Sequence, residues 1–203
     1  MSSSEIHETA IVHPEAKIGA GVKIGPYCTI GAHVEIEEDC QLLSHVVVDG
    51  HTTIGKGNTF YPFCSIGAPP QDLSYKGEPT KTIIGNNNVF RESVTVHRAS
   101  MKQDQFTKIG DNCLMMAYVH VGHDAVLGNG IIVANSVNFA GHVIVGGMLS
   151  ETTRSKLQLV ELPLTSVTVS TMLVVPTETI VPATGLCVTE ATPQLSPVVA
   201  SPV

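Results

Sequence analysis

Every sixth residue from Ile6 onward is apolar: Ile6, Val12, Ile18, Ile24, Ile30, Ile36, Leu42, Val48, Ile54, Phe60 and Ile66. In a fixed register, chance gives such a run roughly once in several thousand chains of ordinary composition. An internal repeat governs a whole fold, so it is read first. Gly often follows the apolar residue, at Gly19, Gly25, Gly31, Gly55 and Gly67. Four places after it stands a small or compact side chain: Val22, Cys28, Val34, Cys40, Val46, Thr52, Asn58 and Cys64. The period resumes at Ile84, Phe90 and Val96, and Ile84 lies 18 residues after Ile66, so the register survives the gap. It shifts by one near residue 103, then runs through Ile109, Met115, Val121, Leu127, Val133, Phe139 and Val145.

This pattern resembles the hexapeptide repeat of left-handed parallel β-helices, in which three hexapeptides make one triangular coil of 18 residues. The expected fold is therefore all-β over residues 1–147. One short strand cannot bury its apolar side chain alone, whereas stacked coils align those side chains into an interior column. Gly serves corners where a Cβ would clash. Cys28, Cys40, Cys64 and Cys113 fall in the small inward slot of their hexads and read as buried hydrophobes, not nucleophiles. Cys187 lies outside the repeat. Two segments break the period, at 67–83 and 97–108. The first is rich in Pro and polar groups and has the length of one coil, so it reads as a loop leaving the prism. Loops on a rigid solenoid commonly carry function.

The formal net charge of −7 argues against a phosphate-backbone binder, which needs clustered Lys and Arg. No apolar run reaches the ~18–20 residues that span a bilayer. The N-terminus lacks a charged region followed by an apolar stretch, so no secretory signal is expected and the compartment read from sequence is the cytoplasm. Five Cys, an odd number with no CxxC pair, do not make a disulfide framework. Beyond Gly147 the composition changes. Of the 18 Gly only Gly185 lies there, and residues 148–203 hold no Asp, Asn or His and are rich in Thr, Val and Pro. Val169, Val175 and Val181 are six apart, but two of them precede Pro, which removes ladder donors. The segment reads as an irregular or disordered tail, or as a shifted reading frame. Ending the repeat there would leave an uncapped apolar column and open strand edges, and a less secure fold.

The nine His are the main functional signal. His33, His45 and His51 sit in ordinary hexads at outward or corner positions. His97, His120, His123 and His142 gather near the breaks in the repeat. Residues 18 apart stack across neighbouring coils, with strands ~4.8 Å apart. That places His123 beside Gly141 and Asp124 beside His142. A His is a general base near neutral pH. A glycine N–H close to it stabilises a developing oxyanion, and an adjacent carboxylate orients the imidazole. Acyl transfer needs this layout, although His on a solenoid surface often only hydrogen bonds to its neighbours.

Four segments carry a closer resemblance: Gln71–Thr80, Arg91–Arg98, Met116–Asp124 and Ala134–Val143. They resemble the UDP-N-acetylglucosamine O-acyltransferases that open lipid A biosynthesis, over residues 5 to about 147. The resemblance implies transfer of a 3-hydroxyacyl group from acyl carrier protein to the 3-hydroxyl of UDP-N-acetylglucosamine. It assigns His123 as general base, Asp124 as its supporting carboxylate and Gly141 as the oxyanion donor. Asp72, His97, His120 and His142 match positions lining the sugar-nucleotide pocket. No metal or organic cofactor is implied, and the family works as a homotrimer with each site between two prisms. The family has Lys where this chain has Ser74, and Lys76 is the candidate substitute. The family's further coils and C-terminal helical region have no counterpart motif after Gly147. Three other readings are a related N-acyltransferase on a UDP-amino sugar, a non-catalytic trimeric module, and a zinc site at a trimer interface built on His97, His120 and His142. The last is disfavoured because the coil offsets do not converge those ligands to the ~2.0–2.1 Å that Zn needs.

Overall fold

The computed structural model describes residues 3–146. These residues form three parallel sheets of seven short strands each, wound as a left-handed β-helix, with no α-helix among them. Successive strands go in turn to a first, a second and a third face. Glu5–Ile6, Ile11–Val12 and Lys17–Ile18 begin the three faces. The expectations for the boundary at 147, for the tail 148–203 and for Cys187 lie outside the described residues.

The periodic apolar residues become three interior columns. On the first face Ile6, Ile24, Leu42, Phe60, Phe90, Met115 and Val133 pair in register from coil to coil. Ile24, Leu42, Phe60, Phe90 and Met115 are at most 2% exposed. Removing a side chain of this size from water stabilises the fold by about 1.5–3 kcal/mol. Phe60 and Phe90 stack flat with their centroids 4.7 Å apart. The compact slots are interior too. Cys28, Cys40, Cys64 and Cys113 are all buried and unpaired, and burial pushes the Cys64 thiol up to about 12. They are packing residues.

Coils join through main-chain hydrogen bonds such as Gly25 N–H to Leu42 O at 2.8 Å. A Cβ on Gly25 would fall 1.4 Å from the Leu43 carbonyl oxygen, which is why this corner takes no larger residue. Other corners place a non-glycine residue in the left-handed region. Asp124 and His142 do so at φ 59° and 66°, on the same corner of successive coils.

The two breaks are narrower than the sequence suggested. Gly67 and Ala68 belong to the strand Ser65–Ala68, and Lys81–Ile83 to the strand Lys81–Ile84, so the first loop covers 69–80. It does not replace a coil. Ile54 pairs with Ile84, 30 residues on rather than 18, so it is a 12-residue insertion at one corner. Twelve is two hexads, which is why the register survives. The second loop covers 98–105, between Thr95–His97 and Phe106–Ile109. Ile84 pairs with Ile109 at a spacing of 25, an insertion of seven that shifts the register by one. Both loops leave the corner between the second and third faces and lie against each other. Thr80 Oγ1 donates to Ala99 O, and Arg98 N–H donates to Ala68 O at 2.9 Å.

Candidate active site

The site forms where the insertions meet the coils that follow them. On the second face Thr95, His120 and Asn138 pair in register. His97 ends the first of these strands and lies against the cleft, 8% exposed. Its ring meets His120 edge-on at 4.7 Å, and Thr95 Oγ1 lies 2.8 Å from His120 Nδ1. Burial, reinforced by the neighbouring His120 and His123, lowers the His97 pKa to about 4. Burial first, and His123 second, also lowers that of His120. At neutral pH His97 is therefore an uncharged ring, and its Nδ1 has no partner among the described residues.

One corner further, His123 Nδ1 lies 2.8 Å from Asp124 Oδ2. The Asp124 side chain is 1% exposed. Its Oδ2 also accepts Ser100 N–H at 3.0 Å and Ser100 Oγ–H at 2.7 Å. Its main-chain N–H donates to Thr107 Oγ1 at 2.8 Å. Because Nδ1–H is committed to a carboxylate, the free lone pair of His123 sits on Nε2. The stacking inferred from the 18-residue period is present. A Cβ on Gly141 would lie 2.8 Å from His123 Cε1 and 2.9 Å from Nε2, so only Gly lets the next coil come this close. The Gly141 N–H has no acceptor among the described residues. His142 stands edge-on to His123 at 5.1 Å, with Nε2 4.0 Å from Asp124 Oδ2.

An open cleft of about 300 Å³ faces this array, lined by Gln71, His97, His120, His123, Asn138 and Gly141 among others. A larger groove of about 570 Å³ runs along the first face at Glu5, Lys23 and Leu42, where the only paired charges are Lys23 and Glu5 at 3.7 Å. Size does not mark the site; the converging polar groups do. Asp72 does not line the cleft, although its neighbour Gln71 does. Its side chain is 9% exposed and pairs with Lys102 Nζ at 2.6 Å. Ser74 N–H and Oγ–H bond its other oxygen at 2.9 and 2.7 Å. The Lys102 hydrogen bond, then those from Ser74, hold the Asp72 carboxyl well below the usual range. Lys76 Nζ donates to Leu73 O at 3.3 Å, and the ammonium at Asp72 is that of Lys102.

Within one chain His97 and His120 meet each other, while His142 meets His123. The atoms that do come together, within 4.8 Å of one another, belong to His123, Asp124 and His142. Asp124 Oδ2 in that group is already engaged by three donors, so the group is built as a hydrogen-bonded relay.

Known proteins place this architecture. The bacterial transferase hexapeptide model, six repeats, matches residues 3–37. The acyl-(acyl-carrier-protein)–UDP-N-acetylglucosamine O-acyltransferase of Thermodesulfovibrio yellowstonii is 52% identical over 142 residues, which cover 70% of this chain and 55% of that protein. The β-helix belongs to the UDP-N-acetylglucosamine O-acyltransferase family. The relative of that name from Saccharophagus degradans is 54% identical over 131 residues, 64% of this chain and 51% of its own length. The crystal structure of the Moraxella catarrhalis UDP-N-acetylglucosamine O-acyltransferase superposes with a TM-score of 0.68 at 43% identity, covering 69% of this chain and 55% of that one. The chain thus spans about half the length of the curated acyltransferases it matches. No described helix is long and apolar enough to cross a membrane.

Proposed function

We propose that this chain moves a 3-hydroxyacyl group from acyl carrier protein to the 3-hydroxyl of UDP-N-acetylglucosamine, in the cytoplasm, as the opening step of lipid A synthesis. The observation that carries the reading is the His123–Asp124 contact with the Gly141 backbone against the same imidazole. His123 Nε2 takes the proton of the sugar hydroxyl. The hydroxyl oxygen then bonds to the thioester carbonyl carbon, and the carbonyl electron pair moves to its oxygen. The Gly141 N–H donates to that oxyanion. Asp124 holds the ring in the required tautomer and faces the positive charge that develops on it. The C–S bond breaks as the tetrahedral centre collapses, and the imidazolium returns its proton to the departing thiolate. His97 and His120 wall the cleft, and the unpartnered Nδ1 of the uncharged His97 suits a neutral sugar group better than a charge.

The cleft is open on one side, which fits half of a site completed by a neighbouring prism in a homotrimer. Light scattering on the purified chain is expected to give three times the mass of one chain.

The test is incubation with UDP-N-acetylglucosamine and a 3-hydroxyacyl carrier protein, followed by mass spectrometry. The expected product gains one acyl group that mild alkali removes, as it does an ester. An alkali-stable product formed on a UDP-amino sugar with a free amine, while UDP-N-acetylglucosamine stays unchanged, would replace this reading with the N-acyltransferase. No product at all would favour the non-catalytic module.

A further inference from the structure

Asp124 has two imidazoles within reach and serves only one. His123 Nδ1 is 2.8 Å from Oδ2, while His142 Nε2 is 4.0 Å from the same oxygen. Asp124 Oδ1 is buried and has no partner among the described residues. The direction of the carboxylate is therefore fixed by what binds Oδ2. Apart from His123 itself, that is Ser100 alone, through both its N–H and its hydroxyl. Ser100 is 2% exposed and belongs to the 98–105 insertion, not to the repeat.

We propose that Ser100 is a positioning residue that commits Asp124 to His123 rather than to His142. This rests on the assignment of His123 as the base. Ser100 touches neither substrate nor the reacting atoms; it acts through Asp124. Its two donors converge on one oxygen and stop the carboxylate from rotating toward the second ring. The loop that carries it is itself held at both ends of a short path. Lys102 N–H donates to Ser100 Oγ at 3.2 Å, and Lys102 Nζ reaches Asp72 on the other insertion at 2.6 Å. A continuous polar path thus runs from Asp72 through Lys102, Ser100 and Asp124 to His123. The first insertion, whose Gln71 lines the cleft, is in this way tied to the aim of the base.

Ser100→Ala removes the hydroxyl donor and leaves the main-chain donor. In the full chain its kcat is expected to fall about 10- to 100-fold, the range for one hydrogen bond to a buried carboxylate. KM for UDP-N-acetylglucosamine should stay within about twofold, and Ser100→Thr should restore most of the rate. The direct readout is nuclear magnetic resonance of ring-labelled histidine. The wild-type chain should show a strongly hydrogen-bonded Nδ1 proton that disappears in His123→Ala. In Ser100→Ala it should weaken or move while a His142 ring resonance changes with it, and Ser100→Thr should return both. Ser100→Cys, of similar volume and a weaker donor, serves if the alanine variant does not fold. An unchanged His123 resonance in a folded variant overturns the proposal, whatever the rate does. If the wild-type chain shows no turnover, the reading of the reaction fails while the resonances still decide the role of Ser100.

Discussion

Residues 5–66 and residues 67–146 are built on the same prism, yet their interiors differ. In the first region partners are 18 residues apart at every step, and the compact slots hold Val22, Cys28, Val34, Cys40 and Val46 before polar Thr52 and Asn58 enter in the coil next to the first insertion. Every buried polar side chain described lies between Thr52 and Asp124. The polar interior thus coincides with the coils that receive the two insertions and those beside them. Each coil contacts only its neighbours, so one corner can take 12 or seven extra residues without disturbing the columns above and below. The histidines repeat the contrast. His33 and His51 stack flat on the outside at 4.4 Å, within two degrees of parallel. His97 and His120 meet edge-on and half or wholly buried, beside an aimed carboxylate. The candidate site forms where the insertions supply walls and second partners to the histidines.

The sharpest test of that contrast is a pair of substitutions. His123→Ala should lower kcat by about 10²–10⁴-fold, the contribution of a general base, with little change in melting temperature. His33→Ala, in the regular coils, should leave kcat within about twofold. A comparable loss from both would erase the distinction.

Core packing should behave in the opposite way. Phe60→Ala empties a column position with no exposure and removes the Phe60–Phe90 stack. A loss of about 3–5 kcal/mol in denaturant unfolding is expected. The rate per folded molecule should be unchanged.

Acid should find the site-bearing half first. The folded pKa of His97 is depressed from 6.5 to about 4. Between those values the unfolded chain binds more protons, so stability is full above pH 6.5 and declines as pH falls toward 4. The term is on the order of 2–3 kcal/mol. His97→Asn should flatten that part of the pH–stability curve relative to wild type, measured by urea unfolding at several pH values.

The smallest effect belongs to the surface of the regular coils. Lys17 and Glu35 pair at 2.6 Å, but their side chains are 74% and 49% exposed. Lys17→Met should change unfolding free energy by less than about 1 kcal/mol, and added salt should remove the difference.

What the sequence made legible follows from the same division. The columns, the buried cysteines and the stacking of His123 on Gly141 and Asp124 on His142 all depend on one 18-residue step, which needs no knowledge of the loops. Ser100 lies 24 residues before Asp124, Thr95 lies 25 before His120, and Asp72 lies 30 before Lys102. Those contacts cross insertions whose lengths no period encodes. For the same reason the ion pair of Asp72 with Lys102, across both insertions, has no signal in the sequence. The sequence places the first insertion at 67–83, where the period lapses and Pro and polar residues gather. Strand pairing on both sides pulls its ends back to 69–80.

The most direct test of the account is a crystal structure of the chain with UDP-N-acetylglucosamine bound. The sugar 3-hydroxyl oxygen should lie about 2.6–3.2 Å from His123 Nε2, with Gly141 N–H facing the space beside it. A sugar held in the first-face groove, or one whose hydroxyls all avoid His123, would contradict it.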